Sequence, residues 1–252
     1  MKGVLRIFVV FMSLLSAGCG GEAPRLKPLP ADSVVLAFGD SLTHGTGAET
    51  GHSYPEFLEK IAGRRVIRSG VPGEETGAGL KRLPSVLDAV NPNLVILCHG
   101  GNDLLRRRDL RQTADNLKAM IGMIRGRGGQ VVLIGVPAPG IGLRVAPLYK
   151  TVAEETNVPY LSDVLTEILS SGNLKADYIH PNGKGYARMA AAIADFLVKR
   201  GALKEEDLRW SSLFLFHHRG SQIVITVKQN GGVPARVRAP CRCIFRFFTL
   251  FV

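Results

Sequence analysis

The sequence predicts an α/β protein in which helices cover both faces of a parallel sheet. Two observations carry that expectation. Apolar runs bounded by turn residues recur through the middle of the chain, and stretches with helical spacing separate them. The runs are apolar at successive positions, so both faces of each strand need cover, as in parallel sheets. They fall at SVVLAF (33–38), RVIRS (65–69), NLVILC (93–98) and QVVLIGV (130–136), with a shorter VPYL at 158–161. Helical spacing covers 53–62, 77–90, 110–126, 144–156 and 182–199. In the third of these, Leu110, Ala114, Leu117, Met120, Ile121 and Ile124 recur at steps of three and four. Such a sheet places its ligand site beyond the carboxyl ends of its strands.

The 252 residues are 46% hydrophobic and 21% charged, which excludes wholesale disorder. A net charge of +11 invites a polyanionic partner, but its distribution argues against one. Residues 208–252 hold seven Arg or Lys and no acid. Lys2 and Arg6 sit in the first 18 residues. The stretch 19–207 carries 23 basic against 21 acidic residues, a balance of only +2. No nucleic-acid partner is expected of so neutral a body.

Lys2 and Arg6 precede an apolar run, Ile7 to Ala17. Its eleven residues rise only about 16 Å as a helix, too short for a bilayer core of roughly 30 Å. A positive start, a short apolar stretch and small residues match a secretory signal over residues 1–18. Ser16-Ala17-Gly18-Cys19 resembles a bacterial lipobox, which makes Cys19 the lipid attachment point. The motif departs from the pattern in carrying Ser16 three places before the Cys, with Leu15 one place earlier. Ordinary cleavage and release is the alternative. Residues 19–32 then form a Gly/Pro-rich tether. The expected location is the bacterial cell envelope, facing the periplasm or exterior. Cys98 lies inside an apolar run, and Cys241 and Cys243 form a C-x-C pair near the end. These spacings match neither a metal site nor a disulfide framework.

Candidate reactive residues follow the strands. The first strand runs into Gly39-Asp40-Ser41-Leu42, which exposes a serine hydroxyl at the entry to a turn; Asp-Ser before a helix is equally often a cap. The second leads into Gly70-Val71-Pro72-Gly73-Glu74, where a glycine can point a bare N–H at a ligand or simply make a turn. The third ends in Gly100-Gly101-Asn102-Asp103, whose side-chain amide is a neutral donor suited to an oxyanion. Finally, Asp177 and His180 stand three apart ahead of the last helix, where the carboxylate can orient the imidazole.

These four blocks, in this order, resemble the SGNH, or GDSL, hydrolase superfamily over roughly residues 33–200. PGEET, GGNDLLR and the segment from Asp177 to Tyr186 are similar to its bacterial thioesterase, lysophospholipase and arylesterase branch. The resemblance implies a three-layer α/β/α flavodoxin-like fold with a five-stranded parallel sheet, occupying 33–204. It implies Ser41 as nucleophile, His180 as base and Asp177 as its orienter. The Ser41 and Gly73 backbone N–H groups and the Asn102 amide would form the oxyanion hole. No cofactor is called for. The implied activity is hydrolysis of a carboxylic, thio- or lysophospholipid ester through an acyl-enzyme. A carbohydrate O-deacetylase uses the same blocks, and a non-catalytic surface lipoprotein is the reading from another class.

Other residues carry plainer expectations. His44 and His52 are read as solvated or capping, His99 as a hydrogen-bonded structural histidine, and Asp40 and Asp103 as holding the loops. Arg106, Arg107, Arg108 and Arg111 are either a solvated helix entry or a phosphate-binding group. The tail 205–252 has no acidic residue from Leu208 on and holds six of the eleven Phe. It is open to three readings: a peripheral membrane segment, a β-hairpin turning at Asn230-Gly231, or an annexed region without evolved structure, the last slightly preferred.

Overall fold

The computed structural model describes residues 24–209 apart from Pro139 and Ile141, and three further backbone stretches in the tail. The signal segment and Cys19 lie outside the described residues. No described helix is long and apolar enough to cross a membrane.

Five parallel strands form the central sheet: β1 (Val34–Gly39), β2 (Arg65–Gly70), β3 (Leu94–Cys98), β4 (Gln130–Ile134) and, last in the chain, β7 (Tyr160–Leu161). Their order is β2-β1-β3-β4-β7. A two-stranded ribbon, β5 (Pro137–Ala138) with β6 (Arg144–Val145), stands apart from this sheet. The middle strands are buried on both faces: Leu94, Val95, Ile96, Leu97 and Cys98 of β3 are all solvent-free. That is the arrangement the uninterrupted apolar runs demand.

The chain steps from β1 to β2 in one direction, then returns across β1 to β3 and continues the other way. Right-handed crossovers in opposite directions put their helices on opposite faces. Accordingly α2 (Tyr54–Ala62) packs with α8 (Gly183–Lys199), which also holds α7 (Val164–Ser170). On the other side α3 (Thr76–Val90) packs with α5 (Leu110–Gly126), and α5 with α6 (Pro147–Thr156). The result is the expected three-layer α/β/α body. The reversal between β1 and β3 leaves a crevice beyond their carboxyl ends, because the connections there diverge. Two short helices open at that crevice, α1 (Ser41–His44) after β1 and α4 (Gly101–Leu105) after β3.

Three longer helices start from caps written in the sequence. Ser53 precedes α2, and its N–H and hydroxyl both donate to Glu56 Oε2, at 2.9 and 2.6 Å. Asp109 accepts from Arg111 N ahead of α5, and Asn182 from Gly185 N ahead of α8.

The edges of the body differ from the expected boundaries. Within the stretch read as a tether, Leu26 and Leu29 are buried, and their N–H groups donate to the Arg200 and Ala202 carbonyls at 2.8 Å each. At the other end a 3-10 turn, Glu205–Asp207, carries the chain past Lys204. Asp207 pairs with the buried Arg64 at 3.0 Å, and Arg209 N donates to the Ile61 carbonyl. Apolar and polar contacts therefore hold the chain from Leu26 to Arg209. In the tail, β8 (Phe214–Arg219), β9 (Gln222–Val227) and β10 (Ala235–Pro240) form an antiparallel sheet in the order β10-β9-β8. The β9–β10 pairing is antiparallel, with a register one residue off a two-residue turn at Asn230-Gly231, and residues 228–234 between the strands lie outside the described residues.

Candidate active site

The sheet brings Ser41, Asn102 and His180 to one cavity at the β1–β3 crevice, with a volume of about 260 Å³. Its remaining lining is mainly apolar, including Leu105, Val136, Leu143, Leu169 and Ile179. Ser41 is the first residue of α1, where the opening N–H groups of a helix have no carbonyl partner within it. Gly39 ends β1 against the Cys98 carbonyl so closely that a Cβ there would collide with it. Small size at that position lets the Ser41 and Asn102 loops converge.

His180 arrives from the far end of the chain, on the loop between α7 and α8. Its Nε2 lies 3.0 Å from Ser41 Oγ, and its Nδ1 lies 2.8 Å from Asp177 Oδ2. An acceptor at Nδ1 assigns the ring proton there, so Nε2 is free to accept from the serine hydroxyl. Asp177 Oδ1 accepts from the Ile179 and His180 N–H groups, both at 2.8 Å. Burial acts to raise the Asp177 pKa, but the bonds to the His180 ring and to these N–H groups outweigh it, and the pKa falls below the usual range. The carboxylate thus stays charged and fixes the imidazole. This serine–histidine–aspartate relay lets the imidazole take the hydroxyl proton while Oγ attacks a carbonyl.

The donors around the serine are less evenly placed. Gly73 follows β2 in a turn at φ +77°, and its N–H has no hydrogen-bond partner among the described residues. It does not line the cavity itself. The Asn102 Nδ2 donates one of its protons to the Glu74 carbonyl at 3.0 Å, which leaves the second for a ligand.

Glu74 is the residue that sequence reasoning passed over. Its carboxylate receives Arg82 through two bonds of 2.8 and 2.7 Å and lies 3.2 Å from His99 Nε2. Burial raises the Glu74 pKa, but Arg82 and then His99 reverse that, and the value is lowered to about 2. His99 is wholly buried and accepts from Gly100 N at Nδ1, so its Nε2 carries the proton toward Glu74. It is a structural histidine, as expected. An acid next to Gly73, with an arginine two turns into the following helix, was the available signal.

The plainer expectations fit the contacts. Asp103 accepts from both the N–H and the hydroxyl of Thr76, at 2.9 and 2.6 Å, which ties α4 to α3. Asp40 caps Leu42 N, and burial, opposed by His99 and backbone N–H groups, raises its carboxyl pKa. His44 and His52 are exposed. Arg106 and Arg108 both bind Glu75, and Arg106 also donates to the Gly73 carbonyl. These two arginines brace the second block.

Comparison with known proteins decides the family. Residues 37–188 match the model of the GDSL-like lipase/acylhydrolase family. The chain belongs to that family. It is 31% identical to an arylesterase of Vibrio mimicus over 180 residues, covering 67% of this chain and 90% of that protein. It is also 31% identical to the esterase TesA of Pseudomonas aeruginosa over 182 residues, covering 67% and 89%. Among solved structures, the SGNH-hydrolase esterase AlinE4 is similar at 30% identity and a TM-score of 0.53, covering 68% of this chain and 97% of that one. This GDSL-family chain is accordingly a serine ester hydrolase acting on a small-molecule ester.

Proposed function

We propose that this protein hydrolyses carboxylic esters through an acyl-enzyme on Ser41, and that its natural substrates are aryl, thio- or lysophospholipid esters presented in the cell envelope. The Ser41–His180–Asp177 relay, with its 3.0 and 2.8 Å links, is the observation that supports the catalytic part. His180 Nε2 takes the Ser41 proton as Oγ bonds to the ester carbon. The Ser41 and Gly73 N–H groups and the second Asn102 proton stabilise the oxyanion. His180 then returns the proton to the leaving alcohol or thiol, and water repeats the sequence to free the acid. The mainly apolar cavity suits an acyl chain better than an acetylated sugar, which favours the esterase reading over O-deacetylation.

A fluorophosphonate probe should label wild-type protein and fail to label Ser41→Ala. A panel of p-nitrophenyl esters of increasing chain length, an acyl-thioester, a lysophospholipid and an acetylated glycan then ranks the substrate classes. Labelling of Ser41→Ala at the wild-type level overturns the nucleophile assignment.

Lipid attachment at Cys19 places the protein at the membrane in this proposal. Leu26 is bound beside Arg200, at the end of α8 away from Gly183 and His180. Seventeen residues of helix put about 25 Å between those ends, so Leu26 joins the body at the pole away from the active site. Cys19→Ala should move the protein from the membrane to the soluble fraction; an unchanged distribution counts against the anchor.

A further inference from the structure

Of the described residues lining the catalytic cavity, Lys175 is the only lysine or arginine. Its backbone is pinned to the loop that carries His180. Lys175 forms a β-bridge with Pro181, its carbonyl accepts from Asn182 Nδ2 at 3.3 Å, and the next N–H, of Ala176, donates to the His180 carbonyl at 2.9 Å. The ammonium therefore has a fixed base beside the catalytic imidazole. It makes no ion pair with any described residue. Its partner is the Tyr178 ring, whose centroid lies 5.9 Å from Nζ. Tyr178 is 87% exposed, so this contact sits at the mouth of the cavity.

The neighbouring carboxylates do not neutralise Lys175. Asp177, the only acid in its loop, uses Oδ1 on two N–H groups and Oδ2 on the His180 ring. Asp40 is buried, and burial pushes its carboxyl toward the neutral form. Of the four arginines that the sequence offered as phosphate ligands, Arg106 and Arg108 already share Glu75, and Arg107 and Arg111 do not line the cavity. An unpaired ammonium against a mainly apolar wall gains from an incoming anion what a paired one cannot.

We propose that Lys175, backed by the Tyr178 ring, is a specificity-determining group that receives an anionic substituent of the ester substrate, a carboxylate or a phosphate. The inference rests on the ester-hydrolase reading and narrows its substrate class. Lys175 acts on binding and takes no part in proton transfer.

The test compares matched esters with purified full-length protein. p-Nitrophenyl butyrate and mono-p-nitrophenyl succinate form the carboxylate arm; 1-lauroylglycerol and 1-lauroylglycerol 3-phosphate form the phosphate arm. Wild type should favour the anionic member of at least one pair, mainly through KM, and sodium chloride should erode that preference. In Lys175→Met the anionic-to-neutral ratio of kcat/KM should fall about fivefold, while Lys175→Arg should retain most of it. The arm that responds identifies the anion. An anionic-to-neutral ratio that Lys175→Met leaves unchanged in both arms overturns the inference while the neutral esters still report an active enzyme. Absence of turnover on all four esters overturns the ester-hydrolase reading beneath it.

Discussion

Glu74 serves the site with two parts of one residue: its carbonyl orients the Asn102 amide, and its carboxylate anchors Arg82 and His99. Asn102→Ala should lower kcat by about 10²–10³, the usual effect of removing one oxyanion donor, with a smaller change in KM. Because the Glu74 pKa is depressed to about 2, its ionised form stabilises the fold. That contribution is complete above about 4.5, the ordinary glutamate value, and is lost as pH falls toward 2. Arg82 is 24% exposed, so solvent screening reduces the full effect of the shift to about 2 kcal/mol. Urea titrations at pH 7 and pH 3 should therefore bring wild type and Glu74→Gln closer together at the lower pH. A constant gap would assign the loss to packing.

At the scale of elements, α3 meets the end of β3 through a glycine. A Cβ at Gly79 would strike the buried His99 ring and press on Glu74. Gly79→Ala improves intrinsic helix propensity by about 1 kcal/mol, yet overpacking of this kind costs about 1–3 kcal/mol. The net expectation is a lower Tm, read by calorimetry. A rise in Tm would mean that His99 has room to move. The 171–182 loop shows the same coupling of backbone to chemistry. Asp177 holds both the ring and the N–H of His180, so Asp177→Asn should cut kcat by about 10²–10⁴ without unfolding the loop. Circular dichroism and ester kinetics on one preparation check both halves.

For the whole molecule, α8 joins two poles. Its first turn follows His180, and its last turn holds Leu26 and Leu29 by way of Arg200 and Ala202. The Arg64–Asp207 pair closes the body just beyond that end. A chain ended after Arg209 should keep wild-type esterase activity and Tm. One ended after Lys204 leaves the buried Arg64 without its carboxylate, a loss of about 1–3 kcal/mol, and should melt several degrees lower. Equal Tm values for the two truncations would show that Asp207 contributes nothing.

Read alone, the sequence specifies the layered α/β body, the strand-end position of the Ser41, Gly73 and Asn102 blocks, and the family; the His180 block, expected after a strand, follows the short helix α7 instead. Burial on both faces imposes unbroken apolar runs, and a ligand site at strand ends concentrates Gly, Ser and Asn where the runs stop. It missed α1, α4 and α7, because helices of four, five and seven residues span too few turns to show a period. Which groups meet depends on how the folded segments pack. Ser41 and His180 are 139 positions apart, and their 3.0 Å contact depends on the order of strands in the sheet. The same holds for Glu74 with His99, for Arg64 with Asp207, and for Lys175 at the cavity mouth. Local pattern fixes what a segment becomes; the partner of a charged or reactive side chain is set by the packing of segments distant in the chain.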